Sequence, residues 1–297
     1  MATIIYKASS GNQYNLQTDG SWIKDANFHT WSFTAQGTDL QFGQRVSSFE
    51  KEAATYTTTL IFHGTIQERS QRINKLHEEF ENDIRTLSQA RLFWGNWYID
   101  CYVIASSTTP ETNVWTGNEV KIFCPRPFWV KEEKKSFMAQ DEPPALQTFL
   151  DYEYDYDYDY FLGAIGTENW VREFPFESDF KMYIYGPVSN PSISINGYAY
   201  QVLDTLNAGE YMIIDSLNHT VMKYASNGTE TSIFDLRNKT RSVFQKIPGG
   251  NLSLNWTGLF GFDLVIFNER SEPLNEEITT IWDTANISWN GSILMIS

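Results

Sequence analysis

Apolar and polar residues alternate with a period of two through most of this chain, the pattern of strands whose successive side chains face opposite ways. Between residues 65 and 90 the period lengthens. Ile66, Ile73, Leu76, Phe80, Ile84 and Leu87 recur at helical spacing there, with charged residues filling the opposite face. Thr65 with Glu68 three positions on is a capping-box signal, and Gly64 closes the buried-strand pattern YTTTLIF of residues 56–62 just before it. One amphipathic helix among strands is expected to lie across a sheet face, core packing being the commoner use of such a stripe and binding of another subunit the alternative.

The first sixty residues read as short strands rich in Trp, Phe, Tyr and Thr, interrupted at residues 15–20, 37–39 and 43–45. After the helix, RLFWGNWYIDCYVIAS and NEVKIFCPRPFWV form two arms of a long hairpin across a loop at 108–113. KEEKKSF and the proline-bearing DEPPA that follow suit a linker. Beyond Pro175 come SISING, YAYQVL, EYMIID, TVMKYA, LSLNW and FDLVIF, separated by turn signals at Asn196-Gly197, residues 207–209, Asn227-Gly228 and residues 248–250. Many short strands at such spacing are the mark of an antiparallel sandwich. The expected fold is therefore mainly β in two domains, residues 1–145 carrying the helix at about 66–90 and residues 146–297 forming a β-sandwich, with a short extension from about 274.

The two halves meet at Asp151 to Tyr160, where an acid and a tyrosine alternate for ten residues. As a strand this places Tyr152, Tyr154, Tyr156, Tyr158 and Tyr160 on one face and five carboxylates on the other. Such carboxylates repel one another unless solvated or cation-bound. An edge strand or connector with its acids in water is favoured over a calcium site using Asp155, Asp157 and Asp159, because the run lacks the glycine that bends a calcium loop.

With 37 acids against 22 bases the chain carries a formal charge of -15, which argues against specific nucleic-acid binding and against adsorption to anionic membranes. No apolar run approaches the ~20 residues that span a bilayer, and MATIIYKASSGNQYNL does not read as a secretory leader. Cys101 and Cys124 sit in apolar segments and read as buried thiols. Seven Asn-x-Ser/Thr triplets, from Asn218 to Asn290, are taken as turn markers.

The chemistry of an enzyme is missing. There is no GxSxG, P-loop, HExxH, GxGxxG or CxxC pattern, and His29, His63, His77 and His219 stand apart without partners at metal spacing. No catalytic residue, cofactor or resident metal is expected. The high aromatic content, 15%, suits large core residues, but exposed Trp170, Trp256, Trp282 or Trp289 would also suit sugar stacking or protein contacts.

The order of segments resembles the distal tail proteins of long-tailed bacteriophages. WGNWYIDCYVI, then KIFCPRPFWV, then a run of acids and tyrosines resembles that family's passage between domains, and NPSISINGYAYQV, GEYMIIDSLNHTVMKYASNG and LSLNWTGLFGFDLVIFNERSEP resemble successive parts of its second domain. The resemblance implies an N-terminal β-sandwich or split-barrel-like domain that builds a homohexameric ring, and a galectin-like C-terminal sandwich. It also implies a structural virion protein of the tail tip or baseplate. Its implied partners are the tail tube protein, a tail-associated lysin or adhesin, the tape measure protein, receptor-binding proteins and a host cell-surface glycan. Two alternatives stay open, a carbohydrate-binding module of a host-recognition device and the equivalent hub of a contractile tail or tailocin.

Overall fold

The computed structural model describes residues 3–17, 20–109, 115–139 and 166–274. It divides the chain into two compact units, one holding the residues up to Lys131 and again from Glu269, the other Glu132–Asn268. The boundary expected at residue 145 lies outside the described residues.

The first unit is built from β1 (Ile4–Lys7), β2 (Gln13–Asn15), β3 (Ser21–Lys24), β4 (Thr34–Asp39), β5 (Gln44–Glu50), β6 (Ala54–His63), α1 (Ile66–Arg85), β7 (Ala90–Trp94), β8 (Trp97–Thr108), β9 (Trp115–Cys124) and the start of β10 (Trp129–Phe137). Its antiparallel order runs β10, β8, β7, β1, β2, while β8 also pairs β9, β9 pairs β6 and β6 pairs β3. β8 belongs to both ladders, because its first half, to Cys101, pairs β7 and its second half, from Tyr102, pairs β9, with a register shift inside that second ladder between Val103 and Ala105. Bulges turn a strand from one sheet into the next. In β6, Tyr56, Thr58, Leu60 and Phe62 point inward, as the alternation predicts.

The helix starts as the sequence indicates, with Thr65 and Glu68 closing a reciprocal capping box. Its buried face differs from the expected stripe. Ile73, Leu76 and Phe80 are buried, but Ile66, Ile84 and Leu87 are 56%, 41% and 81% exposed, and Arg69 and Asp83 take inward places. The helix ends at Arg85, where the Thr86 N–H donates to Asn82 and Leu87 turns left-handed at φ 52°. Asp83 replaces an apolar anchor with hydrogen bonds, accepting the Tyr6 hydroxyl at 2.5 Å and the Ser9 N–H at 3.0 Å and hydroxyl at 2.5 Å, which fastens the end of α1 to β1. Burial, reinforced by Asp83, pushes the Tyr6 phenol well above its ordinary value, so it remains a donor.

The second unit contains the rest of β10 and β11 (Gly166–Val171), β12 (Asp179–Tyr185), β13 (Val188–Ser189), β14 (Ser192–Ile195), β15 (Tyr198–Gln201), β16 (Thr205–Leu206), β17 (Tyr211–Asp215), β18 (Thr220–Tyr224), β19 (Glu230–Ser232), β20 (Asn251–Trp256) and β21 (Phe262–Arg270), the last two residues of which return to the first unit. One sheet runs β19, β18, β17, β12, β21 and another β11, β20, β14, β15. Phe180, Met182, Ile184, Met212, Ile214, Leu264 and Ile266 from the first enclose a core with Ile193, Ile195, Leu252, Leu254 and Trp256 from the second. This is the expected antiparallel sandwich, each buried aliphatic side chain contributing about 1.5–3 kcal/mol. The Asn196-Gly197 signal is a two-residue turn with both residues at positive φ, 49° and 79°, joining β14 to β15.

Several expectations are corrected. KEEKKSF is no linker but most of β10. Its charges are matched by Asp263 on Lys134 at 2.9 Å and Glu168 on Lys135 at 2.5 Å, and Phe137 is buried. RLFWGNWYIDCYVIAS is two strands folded at Gly95, not one. Residues 37–39 continue β4, and Asn251 and Asn255 lie inside β20 and not in turns. β11 and β12 were not anticipated. Cys101 and Cys124 are free and buried, and burial pushes both thiols up, Cys124 to about 12. Among the described residues no helix is long and apolar enough to cross a membrane.

Two outcomes are expected. Asp83→Ala leaves the Tyr6 and Ser9 donors without their acceptor and should destabilise the first unit by about 3 kcal/mol in urea unfolding, whereas the exposed control Glu81→Ala should change stability by less than about 1 kcal/mol. The second concerns His77, whose Nε2 accepts from Asn118 at 2.8 Å and lies 2.9 Å from the Ser106 hydroxyl. Burial holds this imidazole below its ordinary 6.5, with Glu81 opposing. Neutral His77 is therefore favoured in the fold. Its stabilising contribution is complete above pH 6.5 and is lost as pH falls through the lower folded value. The thermal midpoint should drop on acidification below pH 6.5, and His77→Gln should flatten that drop.

Candidate assembly surface

β4 and β5 pair with each other and with no other described strand. Their ladder runs from Thr34 opposite Glu50 to Asp39 opposite Gln44, and the turn is closed by the Leu40 N–H donating to the Gly43 carbonyl. A register shift between Gln36 and Gly37 bends the arm. A side chain at Gly37 would meet the Arg45 carbonyl oxygen at 2.1 Å, so the bend requires glycine. All thirteen residues of the two strands are exposed except Ala35, which is half-buried.

This arm carries apolar side chains that no described residue covers. Phe42 at the tip is 88% exposed, Phe49 65%, Leu40 56% and Val46 45%. An isolated two-stranded hairpin is marginal in water even without such a load, because it buries too little to offset its ordering. At its root stand Trp31 and Phe33, edge to face at 5.6 Å, 51% and 41% exposed. A second exposed group lies on the sheet β3, β6, β9, where Trp22 sits opposite Ile61 and Trp115 opposite His63, with the Trp115 ring close over Gly117. Exposed apolar groups of this kind mark protein contacts.

Beside the arm's root is a cleft of about 430 Å³ whose walls include Asn27, Trp31, Tyr56, Thr57 and Pro127, and which Lys51 also lines. The Lys51 ammonium is enclosed without a hydrogen-bond acceptor. It stands 4.4 Å from the Phe128 ring centre and 5.5 Å from that of Phe33, and burial holds it below the ordinary lysine value.

The residues singled out from sequence fare differently. Tyr152, Tyr154, Tyr156, Tyr158, Tyr160, Asp155, Asp157, Asp159, Trp282 and Trp289 lie outside the described residues. Trp256 is not an exposed platform, since it is 6% exposed and its indole N–H donates to the Phe260 carbonyl at 3.1 Å. Trp170 packs against Phe137 and lies beneath the Lys135 ammonium. Among the described residues no group of three or more His, Cys, Asp and Glu is placed to hold a metal ion. The arm and Lys51 were missed, although a phenylalanine inside the turn QFGQ was the available signal.

No protein-family model matches this chain, and no curated protein matches it. Solved structures do. The distal tail protein Dit of phage SPP1, described as a paradigm of the hub adsorption apparatus in phages infecting Gram-positive hosts, is 10% identical. It aligns over 91% of this chain and 99% of its own with a TM-score of 0.59. A chain of the phage P2 baseplate in its activated conformation with calcium is 13% identical, over 92% of this chain and 99% of its own, with a TM-score of 0.57. The same baseplate with strontium gives 12%, 92%, 100% and 0.58. The fold is therefore that of phage tail-hub and baseplate proteins. Within that class the fold similarity to the SPP1 Dit protein extends along nearly the whole length of both chains.

Removing the exposed rings tests whether they serve the monomer. Phe42→Ser and Phe49→Ser should each change unfolding free energy by less than about 0.5 kcal/mol while reducing binding of a hydrophobic dye. A loss of several kcal/mol would show that the rings are part of a core.

Proposed function

We propose that this chain is a structural virion protein, the ring subunit of a phage tail tip, and not an enzyme. The observation that carries the reading is the arm, an exposed apolar hairpin that pairs with no other described strand, on a chain with the fold of tail-hub proteins. Its mechanism is burial of the arm and of apolar sheet faces between like subunits, in a closed homohexamer. Such a ring joins the tail tube protein on one side to a tail-associated lysin or adhesin on the other, near the tape measure and receptor-binding proteins, and supports host attachment. DNA leaves through its lumen. A formal charge of -15 per copy suits that role, since a wall that repels phosphates does not retain them. The proposed location is the virion, after assembly in the bacterial cytoplasm, with the two domains meeting near residue 145.

Direct sugar binding by the second unit receives less support, because Trp256 is buried and Trp170 is engaged with Phe137 and Lys135. Negative-stain electron microscopy of the purified full chain, with mass photometry across concentrations, should show six-fold rings with a central hole. Monomers at every concentration, alone and with the tail tube protein added, would overturn the reading.

A further inference from the structure

The tip of the arm and the cleft at its root are complementary in chemistry and cannot meet within one chain. The tip presents Phe42, 88% exposed, beside the exposed carboxylate of Asp39. The cleft, about 430 Å³, is lined by the exposed Trp31, by the largely buried Tyr56 and Pro127, and by polar residues including Asn27, Thr57 and Glu52. It also has, in Lys51, an enclosed ammonium that faces two aromatic rings and no acceptor. Burying an ammonium without an acceptor costs free energy that a cation-π contact offsets only in part, so the ammonium is short of an anionic partner, although the exposed Glu52 also lines the cleft without bonding it. Strand β4 has six residues, and at roughly 3.3 Å each the tip stands about 20 Å from the root, beyond reach of its own cleft while the hairpin is intact.

The geometry points to a second copy of this chain as the occupant: the arm tip of one subunit enters the root cleft of the next, with Phe42 beside Trp31 and the Asp39 carboxylate on the Lys51 ammonium. Phe33 is the group that must yield. Its ring is 41% exposed and meets Trp31 in a T-shaped contact and the Lys51 ammonium at 5.5 Å, so it is free on its solvent side to turn away as the carboxylate takes its place. Tip and cleft are different surfaces, so the contact is head to tail, and repeated contacts of that kind either close into a ring or run on as a filament. The inference rests on the ring reading, which selects closure. The excess of acid over base across the chain makes an enclosed, unneutralised cation the rarer half of such a pair.

The test is a charge swap in the full-length chain, read by mass photometry, with circular dichroism confirming that each variant is folded. Lys51→Glu and Asp39→Lys should each raise the concentration at half-assembly by about ten- to a hundredfold, the effect of losing a charge-assisted bond and burying a repulsion. The double variant Asp39→Lys with Lys51→Glu should restore assembly to within about threefold of the unaltered chain, well under the tenfold that ~1.4 kcal/mol represents. Rings in both single variants at unchanged concentration would overturn the contact and leave the ring reading intact. Loss of assembly in the singles without recovery in the double variant would overturn the Asp39–Lys51 pairing. An unaltered chain that never assembles would remove the ring reading and this inference together.

Discussion

A β-strand has two faces and two edges, and a stable chain must cover or pair most of them. In the first unit α1 covers the inner sheet face with Ile73, Leu76 and Phe80 and is tied down at its end by Asp83. In the second unit two sheets cover each other. The arm of β4 and β5 is the exception. Among the described residues it is paired only to itself, and it leaves Leu40, Phe42, Val46 and Phe49 exposed. That imbalance is the physical reason to read the chain as one part of an assembly.

The alternation of residues made much of this architecture legible. The inward set of β6, the strands β14, β15, β17, β18, β20 and β21 and the Asn196-Gly197 turn follow from side-chain period and turn chemistry that act locally. The start of the helix was equally plain, since a capping box is written in two residues. What stayed hidden depended on partners distant in sequence. KEEKKSF looks like a linker until Asp263 and Glu168 neutralise its lysines. Arg69 and Asp83 interrupt the apolar stripe, and Asp83 is explained only by Tyr6 and Ser9, more than seventy residues away. Gly37 reads as a break, yet it serves a bulge inside a strand. Lys51 has no sequence signal at all, because its significance lies in the enclosure of its ammonium by Phe128 and Phe33.

The chemistry of the chain agrees with an assembly role. Its buried titratable groups secure the fold: the Tyr6–Asp83 pair holds the helix end, and Arg172, buried among Ser178, Asn268 and the Pro248 carbonyl, holds the second unit. His77 joins α1 to β8 and β9 through Ser106 and Asn118. Each of these groups bonds to its own unit, whereas the arm turns its side chains outward. Function on this account resides in surfaces that the two cores support.

The most direct test of the claim that the arm is completed by assembly is amide hydrogen exchange across residues 34–50, measured in dilute chain and in the assembled state. The account predicts near-random-coil exchange of these amides when dilute, and slowing by at least about a hundredfold on assembly as the hairpin gains a covered face, while β6 stays protected in both. Equal exchange of the arm in the two states would contradict it.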